Sequence, residues 1–369
     1  MNARHLTRRL VLATGGAALA APALPQGFAG LGTTAEGFAV PSRRPLAFPA
    51  DHGAHPAFRI EWWYLTANLT DAAGRDLGIQ WTLFRSALRP PREGDAQAGW
   101  QAPQLWMGHA GLTTPGRHFH AERLARGGVG QAGVRAGPPF EAWIDEWRLA
   151  APPETRVAAG ADALDRLEVT AAGTDFAYRL RLDAEGPLVL QGEAGYSVKS
   201  PEGQASRYYS QPFYRVAGTL DLPGGPVDVT GRGWLDREWS SQPLSETQDG
   251  WDWISLHLDT GEKVMGFRLR DGAGAPFTSA THVTPQGRAT PYGDGALSMT
   301  PRARTAVAGR RIPTRWQVTL ADRGLDVTLE AVNAQAFMDT TFPYWEGPVR
   351  ITGSHGGRGY LEMTGYAPE

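Results

Sequence analysis

Apolar and polar positions alternate with a period of two in short runs along most of the chain, and no long segment carries a helical apolar stripe. The first strong run is Glu61-Trp62-Trp63-Tyr64-Leu65-Thr66-Ala67-Asn68-Leu69. A turn signal at 70–75 and a second run at 77–85 make it an antiparallel hairpin. In a strand, Trp62, Tyr64 and Thr66 share one face while Glu61, Trp63 and Leu65 share the other. Both faces carry aromatic bulk, so neither is expected to face water. Further runs at 105–113, 140–149, 165–170, 176–182, 187–190, 216–220 and 227–231 continue the pattern. A second series follows at 253–258, 264–269, 278–283, 296–299, 315–321, 325–331, 347–353 and 357–366.

The two series look related. Placing WWYLTANL (62–69) over WDWISLHL (251–258) brings Trp62 over Trp251, Tyr64 over Trp253, Leu65 over Ile254, Thr66 over Ser255 and Leu69 over Leu258. Each copy runs into a glycine-bearing turn, at Gly74 and Gly261, and then a second apolar strand. The pattern predicts an internally duplicated all-β chain. About eight antiparallel strands per half suit an up-and-down barrel of lipocalin type, with a sandwich pair or a propeller as the alternatives. The expected division is two tandem lipocalin-like antiparallel β-barrels at 48–215 and 216–369, preceded by a linker at 31–47.

Composition supports strands: Gly 46, Pro 28 and a combined supply of Trp 13, Phe 13 and Tyr 10 suit short strands joined by turns. Residues 1–30 change the picture more. Thr7-Arg8-Arg9-Leu10-Val11-Leu12 precedes a weakly hydrophobic Ala-Gly run ending at Ala20-Ala21-Pro22, the pattern of a twin-arginine (Tat) export signal cleaved between Ala20 and Gly30. A periplasmic or secreted location is therefore expected. Cleavage removes Arg4, Arg8 and Arg9 and no acid, so the formal charge moves by three, from -2 to -5. That balance argues against a nucleic-acid partner. The absence of cysteine excludes disulfides, thiolate metal sites and cysteine nucleophiles. There is no Gly-x-Ser-x-Gly elbow, P-loop or dinucleotide fingerprint, and no cofactor is expected.

Candidate chemistry concentrates in GWLDREWSSQPLSETQDGWDW (233–253), where tryptophans surround Asp236, Arg237, Glu238 and Asp252. Carboxylates among large apolar rings are either paired or shifted in pKa. This stretch, together with EWWY, WMGHAGL, GWDWISLHLDTGEKVMGFRLR, YWEGPVRITGS and GRGYLEMTGY, resembles the AttH-like and carotenoid 1,2-hydratase family from about Phe48 to the end. The resemblance implies two tandem lipocalin-like barrels with a hydrophobic ligand region at or between them. For the hydratases it implies addition of water to isoprenoid double bonds, and for related fungal proteins pericyclase activity. In the hydratase motif a tyrosine stands two residues before the acidic aspartate. Asp236 matches the acid, whereas Trp234 replaces the tyrosine and cannot relay a proton.

The catalytic candidates are thus Asp236 as general acid, Glu238 on the same strand face, and Trp234 as a cation shield. The plainer alternative pairs Asp236 with Arg237 or Arg232 at a barrel corner. Ligand-wall candidates are Trp62, Tyr64, His109, Trp239, Trp251, Trp253, Tyr344 and Trp345, with 207–211 and Glu346 of second rank; the competing reading is that these rings fill the barrels. His118 and His120 lie beside a turn and do not make a metal site. Expected partners are a hydrophobic small molecule and either an ABC transporter or a membrane surface. As an enzyme the chain would be a hydro-lyase; the alternatives are a non-catalytic periplasmic lipid carrier and a pericyclase.

Overall fold

In the computed structural model, the described residues are 36–369 apart from 153–160, 243, 245–246 and 273. The export signal at 1–30 and the start of the linker lie outside the described residues. The chain is all-β apart from a few 3-10 turns, and its strands form two large curled antiparallel sheets, of 13 and 10 strands among the described residues. Both are meanders whose last strand turns back to pair with the first. In the first, the opening strand Ile60–Asp71 lies between its hairpin partner Asp76–Ala87 and the closing strand Gly225–Ser240. In the second, the opening strand Gln248–Leu258 lies between Lys263–Asp271 and the closing strand Gly357–Met363. Each barrel is left unpaired at the same place, between its fourth and fifth strands.

The expected division at 215/216 is corrected by this pairing. Strands Ala205–Leu222 and Gly225–Ser240 form one hairpin, and its second strand pairs with Ile60–Asp71. The hairpin therefore belongs to the first sheet, and the change of sheet falls between Ser240 and Gln248. The physical reason is edge closure: an opening strand with one partner would leave a row of backbone donors and acceptors unpaired. Only a strand from the far end of the unit can cover them.

Period-two alternation places the cores. Trp63, Leu65, Leu69, Leu235 and Trp239 point into the first barrel, and Ile254, Leu256, Trp345, Leu361 and Met363 into the second. The opposite faces of the same strands, with Tyr64, Trp234, Trp253, Phe267 and Tyr360, pack against each other in a third apolar layer between the barrels. The aromatic bulk on both faces of the opening strands is thereby explained.

The duplication extends further than the opening hairpins. Asp236 pairs with Tyr64 and Glu362 with Trp253. Because Tyr64 and Trp253 are equivalent, GRGWLDRE (231–238) lies over GRGYLEMT (357–364). The preceding strands follow suit: Ser210 pairs with Asp236 as Glu346 pairs with Glu362, which sets Tyr208-Tyr209-Ser210-Gln211-Pro212 over Tyr344-Trp345-Glu346-Gly347-Pro348. Asp236 and Glu362 are therefore the same position in two copies of one unit.

Candidate functional site

A cleft of about 100 Å³ opens in the layer between the barrels. Its apolar wall comes from Trp62, Tyr64, Phe84, Trp251, Trp253, Phe267 and Leu269, and its polar groups from Lys199, Ser206, Tyr208, Asp236, Glu238 and Glu362. The even-numbered residues of the closing strand Gly225–Ser240 face this layer, which brings Asp236 and Glu238 to the cleft together as their spacing predicts.

Asp236 is buried and ringed by donors. The Trp234 indole N–H donates to Oδ1 at 2.7 Å, Ser210 donates to the same oxygen at 2.5 Å, and the Tyr208 hydroxyl donates to Oδ2 at 2.6 Å. The Trp253 indole donates in turn to the Tyr208 oxygen at 3.2 Å. Loss of hydration nevertheless outweighs these bonds, and with the nearby Glu238 charge it pushes Asp236 up to about 7. Glu362 has the same character. It accepts from the Trp251 indole at 2.6 Å, yet burial, aided by the charge of Asp236, raises it to about 7. Behind it, Glu346 is pushed well above the carboxylate range by burial and by Glu362, and it accepts a short hydrogen bond from Tyr64. Glu238 is held differently: Ser206 donates to it and Lys199 Nζ stands 2.8 Å away, over the ring of Phe267 at 4.2 Å.

Two buried carboxyls raised toward neutrality thus face one apolar cleft, the electrostatic arrangement that general acid–base chemistry requires. Near pH 7 each exchanges a proton at little cost, and repulsion between their anions favours the state in which one holds the proton.

The salt-bridge reading of Asp236 is corrected. Arg237 is an odd-numbered neighbour and projects into the first barrel, where with Arg85 it pairs with buried Glu61 and lies 3.7 Å from the ring centre of Trp63. Arg232 pairs with Glu185. Among the described residues no cation pairs with Asp236, so nothing offsets its desolvation.

Of the predicted site residues, Asp236, Glu238, Trp62, Tyr64, Trp251 and Trp253 line the cleft. Trp234 lies behind Asp236, fully buried, with its ring edge-on to His257 at 5.8 Å; its role is to hold the carboxyl rather than to shield a ligand. Trp239 and Trp345 are corrected to barrel interiors. Trp239 stacks on His55 at 3.9 Å inside the first, and Trp345 donates to the Ala334 carbonyl at 2.9 Å inside the second. Both occupy the wrong parity of their strands to reach the cleft. His109 and Tyr344 do not line it either: they are bonded to each other at 3.0 Å, one layer behind. Glu362 and Lys199 escaped the sequence reading. The signal for Glu362 was present in GRGYLEMT, but it shows only when that segment is compared with GRGWLDRE.

A family model of AttH-like proteins matches residues 39–366. The chain belongs to the AttH-like family. Among solved structures, a candidate AttH of Nitrosomonas europaea is 32% identical over 89% of this chain and 99% of its own, with a TM-score of 0.76. Kievitone hydratase of Nectria haematococca shares the fold at 14% identity and a TM-score of 0.63, covering 90% of this chain and 98% of its own. CghA shares it at 12% identity and a TM-score of 0.53, covering 90% and 95%. No curated protein matches this AttH-like chain.

Proposed function

We propose that this AttH-like protein is an exported hydratase that adds water across a C=C bond of a hydrophobic, isoprenoid- or lipid-like molecule held between its barrels. The observation that carries the reading is the pair Asp236 and Glu362, both raised to about 7 and both facing one aromatic cleft. The fold shared with kievitone hydratase supports it.

In the reaction, protonated Asp236 transfers its proton to one alkene carbon, and the π electrons form the new C–H bond. The adjacent carbon becomes cationic, within reach of the π faces of Trp62, Tyr64 and Trp253. Water attacks it, the C–O bond forms, and ionised Glu362 takes the proton released from that water. The product is the alcohol, and the protein ends with Asp236 ionised and Glu362 protonated. Return of one proton to Asp236 and loss of one from Glu362 restore the starting state. Ser210, Tyr208 and Trp234 hold the Asp236 carboxyl and stabilise its anion once the proton has left.

The test is incubation with kievitone and a panel of acyclic isoprenoid alkenes in oxygen-18 water, read by mass spectrometry. The expected result is an alcohol carrying the heavy oxygen, with Asp236→Asn and Glu362→Gln each slowing its formation about 10²- to 10⁴-fold while binding persists. Binding of the panel with no labelled product from any member would overturn the hydratase in favour of a lipid carrier serving a transporter.

A further inference from the structure

The reaction above leaves a proton on Glu362 at the moment the occupied cleft excludes bulk water. The buried side chains behind the cleft offer a way out. Tyr64 neighbours Glu362 and donates a short hydrogen bond to Glu346. Tyr344 lies close enough to Glu346 to interact with its carboxyl. The Tyr344 hydroxyl meets His109 Nδ1 at 3.0 Å, and His109 Nε2 meets Glu122 at 3.1 Å. His109 is completely buried, whereas the Glu122 side chain is 22% exposed. Thr341 fixes Glu122 with its backbone N–H at 3.0 Å and its hydroxyl at 2.8 Å.

We propose that the line from Glu362 through Tyr64, Glu346, Tyr344 and His109 to Glu122 is a proton relay joining the cleft to solvent at the edge of the layer between the barrels, where Glu122 meets Thr341. The proposal rests on the acid–base role given to Glu362. Each member can accept a proton on one side and release one on the other. An ionised Glu122 accepts only, so His109 carries its hydrogen on Nε2 and offers a bare Nδ1 to Tyr344. The other groups facing His109 are the ring of Phe84, edge-on at 5.4 Å, and the charge of His120; burial keeps the imidazole below its usual pKa and hence neutral at pH 7. In the transfer, Glu362 gives its proton to the Tyr64 oxygen, and Tyr64 passes its own to Glu346. Glu346 passes its own to Tyr344, Tyr344 to Nδ1, and Nε2 to the Glu122 carboxylate, which releases it to water. One proton moves outward, the intermediate members return neutral, and the negative charge stays on Glu362. The loosest step is from Glu346 to Tyr344, because Oε2 of Glu346 is buried without a formed bond.

The experiment fills the cleft with a saturated alkane, which cannot be hydrated and keeps bulk water from reaching Glu362 directly. After a photochemical pH jump, infrared spectroscopy follows the carboxylic-acid carbonyl band that Glu362→Gln removes. His109→Phe and Tyr344→Phe are each expected to slow its rise at least about tenfold, with the Asp236 band unaffected. Glu122→Gln, which keeps the side chain's size and its acceptor for Thr341, should slow it too. Unchanged rates in folded Tyr344→Phe and Glu122→Gln proteins would overturn the relay. Slowed rates without any hydration activity would uphold the relay and sink the hydratase alone.

Discussion

The raised pKa of Asp236 makes the protein less stable at neutral pH than its fold would otherwise be, and Asp236→Asn exposes the cost. Folded Asp236 holds its proton up to about 7, against 3.8 ordinarily. Between those values the folded state binds more protons than the unfolded state, so stability falls as pH rises. The contribution is fully present below about pH 4 and lost by the time pH passes 7. At roughly 1.4 kcal/mol per pH unit, the loss is on the order of 4 kcal/mol. Against a typical total of about 5–15 kcal/mol, that is a large concession to keep one acid among indoles. Asparagine carries no proton in this range. Its oxygen can keep the bonds from Trp234 and Ser210, while its amide meets the Tyr208 oxygen. A mismatch there costs about 1 kcal/mol at all pH values. Urea unfolding followed by tryptophan fluorescence from pH 4 to 8 should therefore give crossing curves, with the variant slightly weaker at pH 4 and about 3 kcal/mol stronger at pH 8. Parallel curves would refute the idea that burial, rather than a hidden cation, governs Asp236.

Other consequences concern the frame around the cleft. Glu61→Gln leaves Arg85 and Arg237, each 1% exposed, without their shared anion, and should cost about 3–5 kcal/mol in urea at neutral pH. Despite its burial, those two guanidiniums hold the Glu61 carboxyl well below the usual range, so the wild-type pair should survive acid that titrates free glutamate. Gly78 lets the barrels meet closely: a Cβ there would lie 2.7 Å from Pro348 Cγ, so Gly78→Ala should lower the thermal midpoint, at a cost of about 1–3 kcal/mol. Replacing Arg8 and Arg9 by lysine should leave the protein in the cytoplasmic fraction, and unchanged export would remove the twin-arginine reading.

Alternation alone was enough to read the strands, the all-β class and the two related opening hairpins, because a strand buried on both faces must carry apolar residues at both parities. It also set Asp236 and Glu238 on one face. About eight strands per half pointed to tandem barrels, in agreement with the family motifs. Parity could have excluded Trp239 from the cleft as well, since it shares a face with Arg237 and not with Asp236. What no local pattern contains is which faces meet. Ile60–Asp71 finds its second partner more than 150 residues later, and that pairing moved the boundary from 215 to beyond Ser240. The same long-range closure carries Glu362 from the end of the chain to the cleft that Asp236 faces. Desolvation then decides their chemistry, and desolvation is a property of everything packed around a group. The strands, their two-faced character and one acid can be read along the chain; the acid's twin, the lack of a cation beside either among the described residues, and the burial that raises both carboxyls depend on which distant faces pack together.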